Sequence, residues 1–323
     1  MANKHTLIVD RVLTRLKLKQ LRLLVAVGKH KSILHAAKEL NISQPAATKM
    51  IKDLELDFEV LLFERSNRGV IPTIFGETLI RHGKLIFAQI SNAAQELDDL
   101  SEGTSGRIVV GTLLAASTRL LPLAIQKTLI ERPKVTIKLV EGTNEILMPA
   151  LRSGELDMVV GRLSTHRHRS ELEQIALFDE RIALVTGPNH PLAQNKDLSF
   201  ADLQSFGWLL PPTETTLRRQ IDQYFISQNH YIPPQIVESV SYLSNRTLLQ
   251  ATNLIGVMPA HVPAFDITNG TLNELSFTMP VGTGPVGVSF RQGNNISPAA
   301  SAFISTLQDV ARAFKTEDKS EIL

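Results

Sequence analysis

The stretch that decides the N-terminal fold runs from Leu34 to Glu55 and reads LHAAKELNISQPAATKMIKDLE. Ser32 precedes a first helical pattern that ends at Leu40, and its hydroxyl is placed to cap that helix. A second helical pattern follows after a short turn, with Ser43 as its cap. Pro45 lies in its first turn, where a missing N–H costs nothing. The proline therefore starts a helix, and the spacing predicts two helices joined by a tight turn.

The faces of these two helices indicate how they pack. Ala47, Ile51 and Leu54 follow helical spacing and face inward. Ala36 and Ala37 of the first helix are small enough for a close crossing, as in a helix-turn-helix. The outward face of the second helix is polar and cationic, and it carries Gln44, Pro45, Thr48, Lys49 and Lys52. This face predicts contact with the DNA major groove; the alternative is an ordinary amphipathic helix whose lysines are only solvated.

A basic hairpin is predicted directly after the helix-turn-helix. Residues 61–77 read LLFERSNRGVIPTIFGE, in which Leu62 and Phe63 form an apolar anchor and Gly69 supplies a turn. Arg65 and Arg68 lie in the loop between them. Arginines on such a wing reach phosphates or the neighbouring minor groove, whose negative potential attracts them.

The charge is unevenly distributed along the chain. The net charge is only +2, but residues 1–70 hold 13 Lys and Arg against 7 Asp and Glu. Residues 71–106 hold 2 against 5, and the remainder holds 19 against 20. A small basic unit ahead of a near-neutral body is typical of a nucleic-acid-binding module joined to a domain with another task.

Composition sets broader bounds. A chain of 323 residues favours more than one folding unit, and 43% hydrophobic with 20% charged residues is typical of a globular protein. Cysteine is absent, which excludes disulfides, thiolate metal sites and a cysteine nucleophile. The N-terminal residues lack the apolar core of a secretory signal, and no apolar run approaches the ~18 residues of a membrane span. We therefore expect a cytoplasmic protein.

The N-terminal motifs resemble those of LysR-type transcriptional regulators. The resemblance covers residues 18–100 closely and the remainder more loosely. Its motifs are Ala36-Ala37, Ser43-Gln44-Pro45-Ala46, Leu54-Glu55, Leu62-Phe63-Glu64-Arg65, and Arg68-Gly69 followed by Thr73 and Gly76.

The resemblance implies an α/β protein with an N-terminal winged helix-turn-helix on a long linker helix, then a two-lobed α/β effector domain resembling periplasmic binding proteins. The predicted domains are a DNA-binding domain (1–75), a linker and dimerisation helix (76–103) and an effector-binding domain (104–323). Lobe I is predicted over 107–183 and 286–314, and lobe II over 184–285. The predicted DNA-contacting residues are Ser32, His35, Ser43, Gln44, Pro45, Thr48, Lys49, Lys52, Arg65 and Arg68.

The linker helix carries an apolar stripe that needs a partner. Leu79, Ile86, Ile90, Leu97 and Leu100 recur at helical spacing. Packing against its own domain is one explanation; pairing with a second copy is favoured because a single module makes a small DNA interface. We expect a homodimer or homotetramer on a promoter with two-fold related half-sites, with RNA polymerase as a further partner. The segment 102–106 (EGTSG) reads as the linker that follows the helix.

The remainder alternates between strand and helix patterns, as in an α/β domain with a parallel sheet. We expect a strand at 107–111, a helix at 117–129, a strand at 135–140, a helix at 144–153 and a strand at 156–161. The crossover to the second lobe is expected near Gly187-Pro188. A returning strand is expected at 286–290 and a closing helix at 298–314, with a disordered tail over 315–323.

Effector contacts are expected where strand ends converge between the lobes. Hydroxyls and free N–H groups at helix starts suit an anionic or polyhydroxylated ligand, although each Ser or Thr taken singly also fits a simple helix cap. The predicted effector-binding residues are Ala115, Ala116, Ser117, Gly161, Arg162, Thr213, Thr215, Thr216, Ser239 and Ser241.

Other functions find little support in the sequence. Residues 282–287 match G-x-G-x-x-G, but a strand pattern follows where a dinucleotide-binding motif requires a helix. Residues 165–170 (THRHRS) offer two histidines without further ligands at useful spacing. Hydrolase and NTPase motifs are absent, so we expect no enzyme activity, no cofactor and no metal. The preferred function is a DNA-binding transcriptional regulator switched by a small effector; the alternative is a small-molecule-binding protein or enzyme with an accessory basic helical domain.

Overall fold

The computed structural model describes residues 4–66, 69–102, 105–163, 172–228, 236–279, 281, 284–292 and 296–320. The chain divides into two compact units, Met1–Ser91 and Asn92–Leu323. No helix in the described ranges is long and apolar enough to cross a membrane.

The first unit is helical with a small hairpin. Its elements are α1 (Lys4–Arg15), α2 (Leu18–His30), α3 (Ile33–Glu39), α4 (Gln44–Phe58), β1 (Phe63–Ser66), β2 (Gly69–Pro72) and the start of α5 (Ile74–Glu102).

The helix-turn-helix forms as the sequence predicts. Ser32 caps α3 by accepting a hydrogen bond from the His35 N–H, and Ser43 caps α4 by accepting one from Ala46. Pro45 lies in the first turn of α4. Each cap satisfies an N–H that the helix cannot pair internally. The two serine caps therefore stabilise the first turns of α3 and α4.

The core of this unit is built on the predicted small and branched residues. Ala36, Ala37, Ala47 and Leu54 are each at most 1% exposed. They pack with Leu21, Leu23, Leu24, Ala26, Val27, Ile51 and Leu62 in one cluster. Alanines at the crossing of α3 and α4 let the two helices approach closely, which fixes the direction of α4 relative to α2.

The predicted wing is confirmed as an antiparallel hairpin of β1 and β2. Glu55 of α4 ties it to the helix-turn-helix, because its carboxylate accepts hydrogen bonds from the N–H groups of Leu62 (2.9 Å) and Phe63 (3.3 Å). Gly69 adopts φ +122°, and a Cβ there would lie 2.5 Å from the Lys31 carbonyl oxygen. The turn therefore requires glycine.

The helix α5 confirms the long helix of the sequence analysis and ends at Glu102, next to the predicted linker. One member of the predicted stripe has another role, because Leu79 packs against the core of the first unit. Ile86, Ile90 and Leu97 are exposed by 38%, 46% and 68%. The side chain of Leu100 lies outside the described residues, as do Gly103 and Thr104 of the predicted linker.

The second unit alternates strands and helices around two sheets. Its helices after α5 are α6 (Leu114–Ser117), α7 (Leu120–Glu131), α8 (Asn144–Arg152), α9 (Phe200–Leu203), α10 (Thr216–Ser227), α11 (Tyr242–Ala251), α12 (Ala264–Thr268) and α13 (Pro298–Ser320). Its strands are β3 (Ser105–Thr112), β4 (Lys134–Glu141), β5 (Met158–Arg162), β6 (Leu172–Phe178), β7 (Ile182–Thr186), β8 (Trp208–Leu210), β9 (Ile236–Glu238), β10 (Ile255–Pro259), β11 (Asn273–Glu274) and β12 (Val286–Arg291).

Each sheet forms one lobe. The first has the order β4-β3-β5-β12-β6, and the second the order β11-β7-β10-β8-β9. The predicted parallel pairing holds for β3 with β4 and β5 and for β8 with β9 and β10, whereas β12 is antiparallel to β5 and β6, and β10 is antiparallel to β7. The chain returns from the second lobe through β12, and this return direction makes the first sheet mixed; in the second sheet β7 runs antiparallel to both β10 and β11.

The crossover between the lobes lies earlier than predicted. Phe178 ends β6 in the first sheet and Ile182 begins β7 in the second. Ile182 and Ala183 therefore belong to lobe II, and the crossover precedes Gly187-Pro188. The strand β7 is buried at every position, so its sequence alone could not indicate which sheet it joins.

Three further expectations are corrected. The helix predicted at 117–129 is two helices, α6 and α7, and Ser117 ends the first of them. The strands β6, β10 and β11 have no counterpart among the predicted elements. The closing helix α13 continues through residues 315–320, part of the tail predicted to be disordered.

Candidate functional sites: a cleft between two lobes and a polar helix face

A cavity of about 200 Å³ lies between the two lobes of the second unit. Lobe I contributes the ends of β4 and β5, the start of α6 and the start of α8. Lobe II contributes the segment before α10, the start of α10, the segment between β9 and α11, and β10. Strand ends and helix starts meet here, as expected for a binding site in an α/β fold.

The walls combine apolar and polar side chains. The apolar lining consists of Leu113, Leu114, Ala115, Pro211, Leu217, Val240, Val257 and Pro259. The polar and charged lining consists of Glu141, Thr143, Asn144, Glu145, Arg162, Glu214, Thr215, Thr216, Arg219, Ser239 and Asn245. Gly142 also lines the cavity. A concave cleft in which apolar walls and convergent polar groups meet is typical of a small-molecule site.

Arg162 is the buried cation of this cavity. It is 7% exposed and forms an ion pair with Glu180 through Nε (2.7 Å) and Nη2. Its Nη1 atom has no hydrogen-bond partner among the described residues. A buried guanidinium nitrogen without a partner is costly, and a ligand oxygen that reached this atom would supply the missing acceptor.

Two asparagines add unpartnered acceptors. Asn144 begins α8 in lobe I, and Asn245 lies in α11 of lobe II and is 3% exposed. The side-chain oxygen of each is buried without a hydrogen-bond partner in the described part of the chain. Sequence reasoning missed both residues; the polar run Glu141 to Glu145 after β4 was a signal that could have indicated Asn144.

Five of the predicted effector-binding residues line the cavity: Ala115, Arg162, Thr215, Thr216 and Ser239. The Thr215 hydroxyl caps α10 by accepting a hydrogen bond from the Arg218 N–H (3.2 Å), and the Thr216 hydroxyl accepts one from Arg219 (3.3 Å). The Ser239 hydroxyl accepts one from the Ser241 N–H (3.1 Å). The Thr215 hydroxyl also donates to the Pro212 carbonyl (2.8 Å), whereas a hydroxyl that only accepts keeps its hydrogen for a ligand.

The other five have no place in the cavity lining. Ala116 is buried in the lobe I core. Ser117 donates its hydroxyl hydrogen to the Leu114 carbonyl (3.1 Å) at the end of α6 rather than beginning a helix. Thr213 is exposed, and Ser241 caps α11.

Gly161 supports the lining without belonging to it. Its φ is +154°, and a Cβ at this position would lie 2.7 Å from Cβ of Leu113, which does line the cavity. Glycine is needed here for close packing of β5 against the segment before α6.

The polar face of α4 forms a second candidate surface. Gln44, Pro45, Thr48, Lys49 and Lys52 line a shared shallow groove in the first unit. Apart from the half-buried Thr48, these side chains are exposed. The hydroxyls of Ser32 and Ser43 are used as helix caps, and His35 is exposed. The side chain of Arg65 and the whole of Arg68 lie outside the described residues, as do residues 165–170 and Gly282-Thr283.

A helix-turn-helix with a wing, followed by a two-lobed α/β domain with a ligand-sized cleft, defines a ligand-responsive DNA-binding regulator. Residues 18–77 match the family model for the bacterial regulatory helix-turn-helix protein of the lysR family, and residues 101–312 match the LysR substrate binding domain. The chain belongs to the LysR family of transcriptional regulators, with a DNA-binding domain and an effector-binding domain. The sequence resemblance is thereby confirmed.

Known transcriptional regulators are similar to this protein along nearly the whole chain. The HTH-type transcriptional regulator GbpR of Azospirillum brasilense is 30% identical over 295 residues, which cover 91% of this chain and 86% of GbpR. PcaQ of Agrobacterium fabrum, also an HTH-type transcriptional regulator, is 29% identical over 297 residues, covering 92% and 96%. The crystal structure of CbnR, a LysR family transcriptional regulator, shares the fold with a TM-score of 0.65 at 21% identity, covering 92% and 99%.

Proposed function

We propose that this regulator binds promoter DNA as a homo-oligomer through α4 and the wing, and that a small effector in the interlobe cleft switches its output. The observation that carries the proposal is the cleft itself, in which Arg162 of lobe I has an unpartnered nitrogen opposite polar groups of lobe II. Its working place would be the cytoplasm, where promoter DNA lies, and its action would involve no catalysis.

Recognition of the DNA base sequence is assigned to the exposed face of α4. Thr48 and Lys49 lie one helical turn beyond Gln44 and Pro45, so the four side chains form one surface. Lysines there neutralise phosphates or reach guanine edges, and Thr48 suits a base edge or a thymine methyl. CbnR, which shares this fold with a TM-score of 0.64, was crystallised at full length in complex with its target DNA, which supports DNA binding as a task of this fold.

Oligomerisation is assigned to α5. Ile86, Ile90 and Leu97 lie on one side of the helix and are exposed, and apolar stripes of this length on a helix favour burial against a partner. Pairing two copies would place two α4 helices on two-fold related half-sites. Dimer or tetramer assembly, and contact with RNA polymerase, remain predictions.

Switching is assigned to the cleft because its walls come from both lobes. A ligand that contacts Arg162 and Thr216 together favours one arrangement of the lobes over another, and only such a difference in affinity shifts an equilibrium. The effector would thus act by holding the lobes at one spacing.

The test is to fill the cleft with an apolar side chain. Thr216→Leu should give a folded protein that binds promoter DNA in a gel shift but whose promoter-reporter output no longer responds to inducer. Ser117→Ala is the matched control, since Ser117 lies outside the cavity lining, and should respond normally. A normal inducer response in Thr216→Leu would rule out this cleft as the sensor.

A further inference from the structure

We infer that the effector is a polyhydroxylated carboxylate of monosaccharide size, a sugar acid or a close chemical equivalent. This inference rests on the proposed effector role of the interlobe cleft and goes beyond it by naming the chemical class. The polar atoms that the protein leaves without partners in the cleft, and the electrostatics around them, carry the argument.

One end of the cleft is suited to an anionic oxygen. Arg162 Nη1 is buried and has no partner in the described structure, whereas the other nitrogens that contact Glu180 are occupied. In the same cavity, α8 begins at Asn144 without a side-chain cap, and both Thr143 and Asn144 belong to the lining. A helix N-terminus presents free N–H groups and a partial positive charge. Both features favour one carboxylate of the ligand at this end.

The rest of the cleft is suited to hydroxyl donors. The side-chain oxygens of Asn144 and Asn245 are buried acceptors without partners in the described structure. Three carboxylates, those of Glu141, Glu145 and Glu214, also line the cavity. The three carboxylates are exposed, whereas the two buried asparagine oxygens favour a ligand that donates hydrogen bonds, because an unmatched buried acceptor costs binding free energy.

The same groups disfavour other small anions. A dicarboxylate would bring a second negative charge toward the three glutamates, with Arg219 as the one further cation of the described lining, and a simple aliphatic acid would leave both asparagine oxygens unmatched. A neutral sugar would satisfy the acceptors but offer Arg162 Nη1 only a hydroxyl oxygen, which accepts a weaker hydrogen bond from a guanidinium than a carboxylate does. The cavity volume of about 200 Å³ lies below the ~300 Å³ at which drug-sized sites usually begin, which favours a ligand of monosaccharide size.

The ligand would contact both lobes at once. Arg162 and Asn144 belong to lobe I, whereas Asn245 belongs to α11 of lobe II. A carboxylate bound at Arg162 and hydroxyls bound at Asn245 would therefore hold the two lobes together. The contacts that recognise the chemical class of the ligand would therefore also be the contacts that switch the regulator.

The test is a binding panel on the full-length protein, read by thermal shift and by calorimetry. The probes are gluconate and galactonate for the proposed class, glucose and sorbitol for hydroxyls without a carboxylate, succinate and propionate for carboxylates without multiple hydroxyls, and 3,4-dihydroxybenzoate for an aromatic hydroxy acid. We expect a sugar acid to bind at least about tenfold more tightly than the matching sugar or simple acid, as the loss of one charged hydrogen bond implies.

Substitutions at Asn245 test whether this side chain contacts the ligand. Asn245→Leu removes the acceptor with little change in size and should lower sugar-acid affinity about tenfold. Asn245→Asp keeps the shape and adds a negative charge, and should lower the affinity for gluconate more than for sorbitol. Asn269→Asp, an exposed amide in the same lobe and outside the cavity lining, is the control for the added charge and should bind like the parent.

The outcomes separate the two proposals. Preferential binding of sugar acids that is lost in Asn245→Leu supports the inference. Equal or tighter binding of any other probe class overturns it, as does a complete lack of binding across the panel. In either of these cases the reporter assay with Thr216→Leu still decides whether the cleft is the sensor, because that assay uses the natural inducer response.

Discussion

His261 of lobe II donates a hydrogen bond from Nε2 to the carbonyl oxygen of Ala115 in lobe I, at a distance of 2.6 Å. Ala115 lines the effector cleft, and the His261 ring also packs edge-on against Phe178 of lobe I, with 5.7 Å between ring centroids. One side chain therefore connects the two lobes at the edge of the cavity. Its position links the spacing of the lobes to the backbone of the ligand site.

His261→Leu should loosen this connection while keeping an apolar contact with Phe178. Losing one hydrogen bond of this kind costs about 0.5–1.5 kcal/mol, so amides around residues 113–117 should exchange hydrogen several-fold faster in mass spectrometry. Exchange in α4 is the internal control and should stay unchanged. Identical exchange of the 113–117 amides in both proteins would show that His261 does not hold the lobes together.

The DNA-reading face predicts two kinds of mutational effect. Thr48→Ala should lower affinity for the specific promoter site by roughly 1–3 kcal/mol if it contacts a base edge, with little effect on scrambled DNA. Lys52→Ala should weaken both sites similarly and reduce the salt dependence of binding. Lys19→Ala, an exposed lysine on α2, serves as the control in fluorescence-anisotropy titrations. Equal losses on both DNA sites for Thr48→Ala would contradict its assignment.

The exposed stripe on α5 predicts a change in assembly. Ile86→Glu with Ile90→Glu places two charges in the proposed interface, and burying unpaired charges there is strongly unfavourable. Light scattering should show a species of lower mass, and tight binding to a two-fold site should be lost. Ser91→Glu, on another side of the same helix, should keep the parental mass. A double variant with the parental mass would show that the stripe packs elsewhere.

Gly161 predicts a coupling between backbone packing and the cleft. Gly161→Ala places a Cβ 2.7 Å from Cβ of Leu113, and such overpacking costs roughly 1–3 kcal/mol. Thermal unfolding should therefore occur at a lower temperature, and effector affinity should fall because Leu113 lines the cavity. At Gly284 the nearest atom to an added Cβ lies 3.7 Å away, so Gly284→Ala should be nearly neutral.

His190 predicts a pH dependence of stability. Burial lowers the pKa of His190 below its ordinary 6.5, outweighing the hydrogen bond to the Asn253 carbonyl. Its Nδ1 accepts a hydrogen bond from the Leu192 N–H at 3.1 Å, which only the neutral ring can do. The unfolded chain then binds the proton more readily, so the free energy of unfolding should fall as the pH drops below about 6.5.

Denaturant unfolding at pH 7.5 and at pH 5.5 measures this effect as a difference between proteins. His190→Gln keeps a polar side chain that does not titrate, so its stability should fall less between the two values than that of the parent. A parallel loss in both proteins would assign the pH dependence to other groups.

The sequence by itself determined the helix-turn-helix, the wing, the long helix and the general α/β character of the second unit. These features follow from local signals: Ser32 and Ser43 cap helices within three residues, Pro45 fixes a first turn, and apolar spacing assigns the buried faces of α3 and α4. Each signal acts between residues that are close along the chain, and the same local chemistry holds in the folded protein.

Only the tertiary structure decided which strands share a sheet and which residues share the cleft. The strand β7 is apolar throughout and would be buried equally well in either sheet, so its membership depends on pairing with β10, far along the chain. Ser117 carried a convincing local signal but ends α6, whereas Asn245, inside a helix, faces the cavity. Convergence of Arg162, Asn144 and Asn245 depends on long-range packing of two lobes, and spacing along the sequence carries no record of such distances.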